Sequence, residues 1–203
     1  MGRKSLKSVR QKEIIEAFYN VSKIESLENT SIAKVAKAMD VNTSLILHYF
    51  NSKEDMIFGL INYILERYKS IYVIEENGNV EIKLRNTIDN LFSKDWNNLV
   101  DDGVFYSSYA LIFQDEKIKK AFKELHDSLR FYLAEVLKEA NDQNVINIEN
   151  PKKTAELIFV LVEGTYYYLS LFDSTDKEYH ENLATYKDMA LKLLNFKTEL
   201  ATL

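Results

Sequence analysis

A single proline and five glycines are spread over 203 residues, which leaves a β-sheet almost without the turn residues its hairpins need. The apolar side chains recur instead at three- and four-residue intervals, the spacing that gathers them on one face of a helix. An all-α chain of about nine helices is expected. With 46% hydrophobic and 28% charged residues, the composition is that of a folded core and not of a disordered chain. The absence of cysteine excludes a disulfide framework, a thiolate nucleophile and a cysteine-ligated zinc, and favours a reducing compartment. No apolar run approaches the roughly 18 residues of a membrane span. The opening "MGRKSLKSVRQK" lacks the apolar stretch of a signal peptide. These features lead to the expectation of a cytoplasmic location with no membrane partner.

Charge is distributed unevenly. Up to Lys53 there are 9 Lys+Arg against 5 Asp+Glu, a net of +4, which leaves −9 for the rest of a chain whose total is −5. A basic end on an acidic protein offers one surface to a polyanion; an ordinary solvated basic terminus has the same signature.

The periodicity predicts a first helix over about residues 5–22, with Ile14, Ala17, Phe18 and Val21 on one face. A second, capped by Thr30, carries Ile32, Val35, Ala36 and Met39. The next begins after Asn42 and ends near Phe50. Ser52 caps a fourth, with Asp55 in a capping-box position and a stripe from Met56 to Tyr68. After a turn around Gly78, helices are expected over 80–94, 102–113, 116–141, 150–172 and 177–200, with Pro151 in a first turn.

The short third segment, within "DVNTSLILHYFNSKEDM", decides the functional reading. At about 100° per residue, Leu45, Ile46 and Tyr49 fall on one side and Thr43, Ser44, Leu47 and His48 on the other. One side packs on the second helix, and the other is offered outward, as in a helix-turn-helix whose second helix enters a DNA major groove. Thr43 and Ser44 are small enough for close approach and carry hydroxyl donors, and the Thr43 methyl or Leu47 can meet a thymine methyl. His48 and Lys53 reach toward phosphates. Arg3, Lys4, Lys7 and Arg10 form a basic arm ahead of the first helix. Taken alone, the segment also fits a connecting helix of a bundle.

The run "SVRQKEIIEAFYNV…TSIAKVAKAMDVNTSLILHYFNSKEDMI" resembles the N-terminal domain of TetR-family transcriptional regulators, over roughly residues 5–65. "SVRQKEIIEA" and "HYF" are also similar to the branch containing the choline-responsive repressor of betaine synthesis. The resemblance implies DNA contacts at Thr43, Ser44, Leu47 and His48, at Thr30 and Ser31, and at Lys53, with Tyr49 packed. Two positions depart from the family pattern. Asp40 replaces the usual turn glycine, and Leu47 stands where a tyrosine is common, which removes a phosphate contact. The implied organisation is a helix-turn-helix DNA-binding domain over 1–52 and a helical ligand-binding and dimerisation domain over 53–203.

In that larger part the candidate pocket positions are Phe92, Trp96, Phe105, Tyr106, Tyr109 and Phe113, with Phe122, His126, Leu129, Phe159, Glu163 and Tyr167. Aromatic residues at such spacing also simply pack a core. Glu163 is the sharper case. In "LIFVLVEGTYYYLSLF" its carboxylate must find a hydrogen-bond partner, take up a proton or meet a cation. Two half-sites one helical turn apart require a two-fold protein. The interface is expected on the last two helices, where Gly164 allows close approach and Leu157, Val160, Leu161, Tyr168, Leu171, Met189 and Leu193 fill it.

The expected function is a homodimeric repressor that leaves a palindromic double-stranded DNA operator when a small hydrophobic or cationic effector binds. An activator, a co-repressor-dependent regulator and a helical protein-interaction module are the alternatives. An enzyme is disfavoured: there is no glycine-rich phosphate loop, and His48, His126 and His180 lie on separate segments without metal-ligand spacing. No metal or cofactor is expected.

Overall fold

The computed structural model describes residues 3–69, 79–93 and 99–197, with side chains from Leu6 onward. Among the described residues the chain is helical, apart from one isolated bridge between Ile146 and Phe196. The helices are α1 (Arg3–Glu25), α2 (Ile32–Ala38), α3 (Thr43–Tyr49), α4 (Lys53–Lys69) and α5 (Val80–Leu91). They continue with α6 (Asp102–Ala110), a 3-10 turn (Leu111–Phe113), α7 (Glu116–Asp142), α8 (Pro151–Leu169) and α9 (Lys177–Lys192). Among them no helix is long and apolar enough to cross a membrane.

Contacts divide the chain into two units, Met1–Arg67 with Val100–Leu125, and Tyr68–Leu99 with His126–Leu203. In the first unit the stripe Met56, Ile57, Leu60, Ile61 and Ile64 of α4 is buried together with Ile14, Ile15 and Phe18 of α1. Gly59 sets how closely those helices lie: a Cβ there would stand 2.6 Å from Ile15 Cδ1. The helix α6 joins the same unit. The Asp101 N–H donates to the Tyr19 hydroxyl at 2.9 Å, while the Asp101 carboxylate caps α6 by accepting from the Val104 N–H at 3.1 Å. Phe105 stacks with Tyr109, and both meet Phe122 edge-on.

In the second unit the buried faces of α5 (Leu84, Ile88, Leu91), α8 (Ile158, Phe159, Val162, Leu169) and α9 (Tyr179, Leu183, Ala190) form the core together with Leu129, Leu133 and Leu137 of α7. Fully burying one such side chain contributes about 1.5–3 kcal/mol. The Tyr166 hydroxyl lies within 2.9 Å of both the Leu91 and Ser93 carbonyls, which ties α8 to the end of α5. Ion pairs Lys83–Glu139 and Lys187–Asp89 join α5 to α7 and to α9.

Several helix limits differ from the periodicity. Helix α1 is longer at both ends, so Arg3, Lys4, Lys7 and Arg10 belong to a helix and not to a free arm. Helices α5 and α8 stop at Leu91 and Leu169, and the segment expected to end near Phe113 finishes as a 3-10 turn. Helix α9 ends at Lys192 instead of running to residue 200, because Asn195 takes φ 46°. The chain then pairs with residues 145–147, with the Asn147 N–H on the Asn195 carbonyl at 3.0 Å and the Lys197 N–H on the Val145 carbonyl at 3.1 Å.

Candidate nucleic-acid interface

Four residues, Met39 to Asn42, connect α2 to α3, and their hydrogen bonds fix the angle between the helices. The Val41 N–H reaches back to the Ala36 carbonyl at 3.0 Å and the Asp40 N–H to the Lys37 carbonyl at 3.2 Å, the paired bonds of a Schellman ending. Such an ending needs a left-handed residue. Asp40 supplies it at φ 54°, where glycine would carry no steric cost.

Helix α3 is anchored by Ile46, which is 0% exposed, with Leu45 and Tyr49 half-buried beside it. Thr43, Ser44, Leu47 and His48 are exposed and form the opposite face, as the projection predicts. His48 meets Tyr49 edge-on at 5.0 Å between ring centres. Seven residues rise about 10 Å, which suits a major groove about 12 Å wide.

The start of α4 holds the far end of α3. The Ser52 hydroxyl accepts from the Asp55 N–H at 3.2 Å. The Asp55 carboxylate accepts from the backbone and side-chain N–H groups of Asn51, at 3.0 and 2.8 Å. This is the anticipated capping box with its return bond one residue earlier than usual.

Other expected DNA contacts fare differently. Thr30 is 1% exposed and its hydroxyl donates to the Ser26 carbonyl at 2.7 Å, so it is neither the cap of α2 nor a surface donor. The cap is Ser31, whose hydroxyl accepts from the Lys34 N–H at 3.3 Å. Thr30 turned inward because the chain closes a turn on Ser26, itself at φ 70°. Lys53 Nζ donates to the Glu28 carbonyl at 2.9 Å, and partial burial lowers its pKa. Lys7 is exposed, Arg10 is paired with Glu13 at 2.7 Å, and the side chains of Arg3 and Lys4 lie outside the described ones.

Asn42 is a residue that sequence reasoning treated only as a cap. It sits at the cap position of α3 and is exposed, yet its side chain makes no capping bond. Ser31, Asn79, Asp101 and Asn150, in the same position on other helices, make one, while Asp176 of α9 does not. Its carboxamide is left at the edge of the Thr43/Ser44 face, which the sequence pattern alone could not show.

The candidate pocket residues are not gathered in one unit. Phe105, Tyr106, Tyr109, Phe113 and Phe122 belong to the first. Phe113 is 85% exposed, on the 3-10 turn, and not enclosed. Phe92, His126, Leu129, Phe159, Glu163 and Tyr167 belong to the second, and Trp96 lies outside the described residues. Tyr167 is 67% exposed, on the outer face of α8. His126 meets Phe159 at 5.6 Å, and burial, then the charge of Arg130, lowers its pKa to about 4. Glu163 is half-buried by exposure, and desolvation of its carboxyl raises its pKa to about 7. It has no hydrogen bond or ion pair among the described residues, and the neighbouring Tyr166 hydroxyl is committed to Leu91 and Ser93.

The outer face of α8 carries Leu157, Val160, Gly164 and Tyr168 in the open, with Leu161 half-buried among them, and Leu171 is exposed in the turn just after its end. Met189 and Leu193 of α9 are exposed too. A Cβ on Gly164 would meet nothing within 4 Å.

Comparison with known families gives two matches. Residues 22–60 fit the family described as bacterial regulatory proteins, tetR family, and residues 79–196 the tetracyclin repressor-like, C-terminal domain. A TetR transcription regulator from Haloarcula marismortui has a similar fold, with TM-score 0.77 and 20% identity, covering 92% of this chain and 97% of that one. The fatty acid degradation regulator FadR from Bacillus halodurans is similar with TM-score 0.68 and 21% identity, covering 91% and 94%. In sequence, the nucleoid occlusion factor SlmA of Vibrio vulnificus is 27% identical over 140 residues, 66% of this chain and 70% of that protein.

Proposed function

Since the chain belongs to the TetR family of bacterial transcriptional regulators, we propose that it works as a cytoplasmic homodimeric repressor, released from a palindromic operator by a small cationic or hydrophobic effector. The observation that carries this reading is the exposed face Thr43, Ser44, Leu47 and His48, held outward by a fully buried Ile46 on a helix of groove-sized length. Exposed hydroxyl and imidazole groups there suit a polyanion, and flanking lysines add sequence-independent attraction.

The apolar stripe on α8 and α9 supports dimerisation. Exposed apolar side chains at helical spacing around an open glycine are the surface a second copy would cover, and an isologous pair of such faces makes four helices. A two-fold dimer presents two α3 helices to half-sites about 34–36 Å apart.

Glu163 supports a cationic effector. A largely desolvated carboxylate with no counter-ion among the described residues is costly, and a quaternary ammonium near it would be held by charge. The similarity of the N-terminal segment to the choline-responsive branch points the same way. Effector binding would favour a state in which α4 moves the two reading heads off the groove spacing. A coupling of about 1–3 kcal/mol changes operator affinity roughly 5- to 150-fold.

The test starts from duplexes that the purified protein selects out of random sequence. Choline, tetraethylammonium and a long-chain quaternary ammonium are then titrated against the complex. Release by one of them, blunted in Glu163→Gln while DNA affinity stays the same, is the expected result. Tighter DNA binding on adding the cation would make the protein co-repressor-dependent, and equal release from both proteins would remove Glu163 from the effector site. The match to the nucleoid occlusion factor favours a second reading, a DNA-bound role of that kind without gene-specific control. Under it, genome-wide occupancy would not concentrate upstream of genes and no effector would release the protein.

A further inference from the structure

The reading face of α3 is divided lengthwise. Residues four apart on a helix stand one above the other, so Thr43 and Leu47 make one row and Ser44 and His48 the next. The first row ends in a methyl and an isobutyl group, the second in a hydroxyl and an imidazole. Nowhere on TSLILHY is there an arginine, lysine, glutamine or asparagine. The bidentate bonds that single out guanine or adenine therefore have no donor on the helix itself.

The flanks supply little more. Asn51 is tied to Asp55 at 2.8 Å, and Lys53 Nζ is tied to the Glu28 carbonyl at 2.9 Å. The free carboxamide of Asn42 stands at the cap, outside the helix. Leu47 occupies the centre of the face and is 46% exposed. Its exposure is imposed by the fold. Ile46, one position before it, is 0% exposed, and rotating the helix to bury Leu47 would bring Ile46 into water. The largest side chain presented from the middle of this helix is thus an aliphatic one, which cannot hydrogen-bond to phosphate or to a base.

From this we infer that Leu47 reads the C5-methyl group of a thymine, so that each operator half-site carries an A·T pair at the centre of the α3 footprint. The selected chemical group is the methyl. It is the one apolar feature that a base pair shows in the major groove, and removing it and part of the leucine surface from water is favourable by the hydrophobic effect alone. The inference rests on α3 being the DNA-contacting helix and names what that helix recognises.

The experiment uses DNA without that methyl. A duplex selected by the full-length protein from random sequence is resynthesised with deoxyuridine in place of each thymine in turn, which removes the methyl and preserves every hydrogen-bonding group. Affinities are measured for the wild-type protein, Leu47→Ala and Thr43→Ser. One thymine per half-site is expected to weaken the wild-type protein about 4-fold when replaced, and both together about 15-fold, from the transfer of one methyl-sized group each. Leu47→Ala loses that sensitivity at the same position, and Thr43→Ser, which lacks its own methyl but keeps its hydroxyl, retains it. Three results overturn the inference: no thymine is sensitive, Leu47→Ala stays as sensitive as the wild type, or the sensitivity disappears in Thr43→Ser instead. Recovery of no preferred duplex at all would sink sequence-specific DNA binding itself, and the inference with it, a failure distinct from the other three.

Discussion

Replacing Glu163 by glutamine should change the pH dependence of stability in a way that isolates one carboxyl group. In the folded chain burial raises the Glu163 pKa to about 7 from an ordinary 4.5. Between those two values the folded state keeps a proton that the unfolded state has released, so stability falls as pH rises, and above both the loss is complete. At 1.36 kcal/mol for each tenfold change, the full loss is about 3 kcal/mol, with less than about 1 kcal/mol of it already present at pH 5. His126 works in the opposite sense. Its pKa is lowered to about 4 from 6.5, so the unfolded state takes up the proton first and stability rises with pH over that window. In the wild-type chain the two slopes offset one another between about pH 4.5 and 6.5. Glu163→Gln removes the glutamate slope and keeps the histidine one. Urea unfolding at pH 5 and pH 8, in equal protein concentrations, is the assay. The stability difference between variant and wild type should shift by about 2–3 kcal/mol in favour of the variant from pH 5 to pH 8, whatever constant offset the amide adds. Parallel profiles for the two proteins would refute the reasoning, because they would mean that Glu163 ionises as freely in the folded chain as in the unfolded one.

Other expectations follow from single contacts. Asp40→Gly should stabilise the chain by about 0.5–1 kcal/mol in denaturant unfolding, since Asp40 holds φ 54° without the freedom of glycine; a loss of stability would mean that the aspartate side chain contributes more than its backbone strain costs. Gly59→Ala should cost about 1–3 kcal/mol through its 2.6 Å approach to Ile15 Cδ1, and Ile15→Val, which deletes that atom, should recover part of the loss; additive effects would contradict the contact. Val160→Asp, at a site 63% exposed on α8, should leave the helical content intact while sedimentation velocity shows a monomer. A dimer persisting at low micromolar concentration would move the interface elsewhere.

The geometry of α3 and the start of α4 was legible because its determinants are local. Ser52, Asp55 and the alternation of buried and exposed residues on α3 lie within a few turns of one another, and the left-handed turn residue was identifiable even as an aspartate. Determinants that depend on how a turn closes or which distant segment pairs were not legible. Thr30 has a good capping side chain, but the turn back to Ser26 buries it and leaves the role to Ser31. Periodicity carried α9 past Lys192, where pairing of residues 195–197 with 145–147 redirects the chain. The pocket residues were chosen for aromatic character at inward spacing, a pattern that says nothing about which neighbour a side chain meets. Phe113 and Tyr167 accordingly turned out exposed, and the Tyr166 hydroxyl is taken up by the end of α5. The idle carboxamide of Asn42 could be recognised only by comparing it with caps that do bond.

The claim that α3 carries the recognition of DNA is tested most directly by fluorescence anisotropy with the duplex from the protein's own upstream region. A random duplex and a Thr43→Ala/His48→Ala protein serve as controls, at about 50 and 200 mM salt. The account predicts specific binding that weakens steeply between the two salt concentrations, and in the double variant an affinity for the upstream duplex reduced toward that for random DNA, the remaining preference being what Leu47 supplies. Specific binding that survives the double variant unchanged would contradict it and place the recognition surface outside α3.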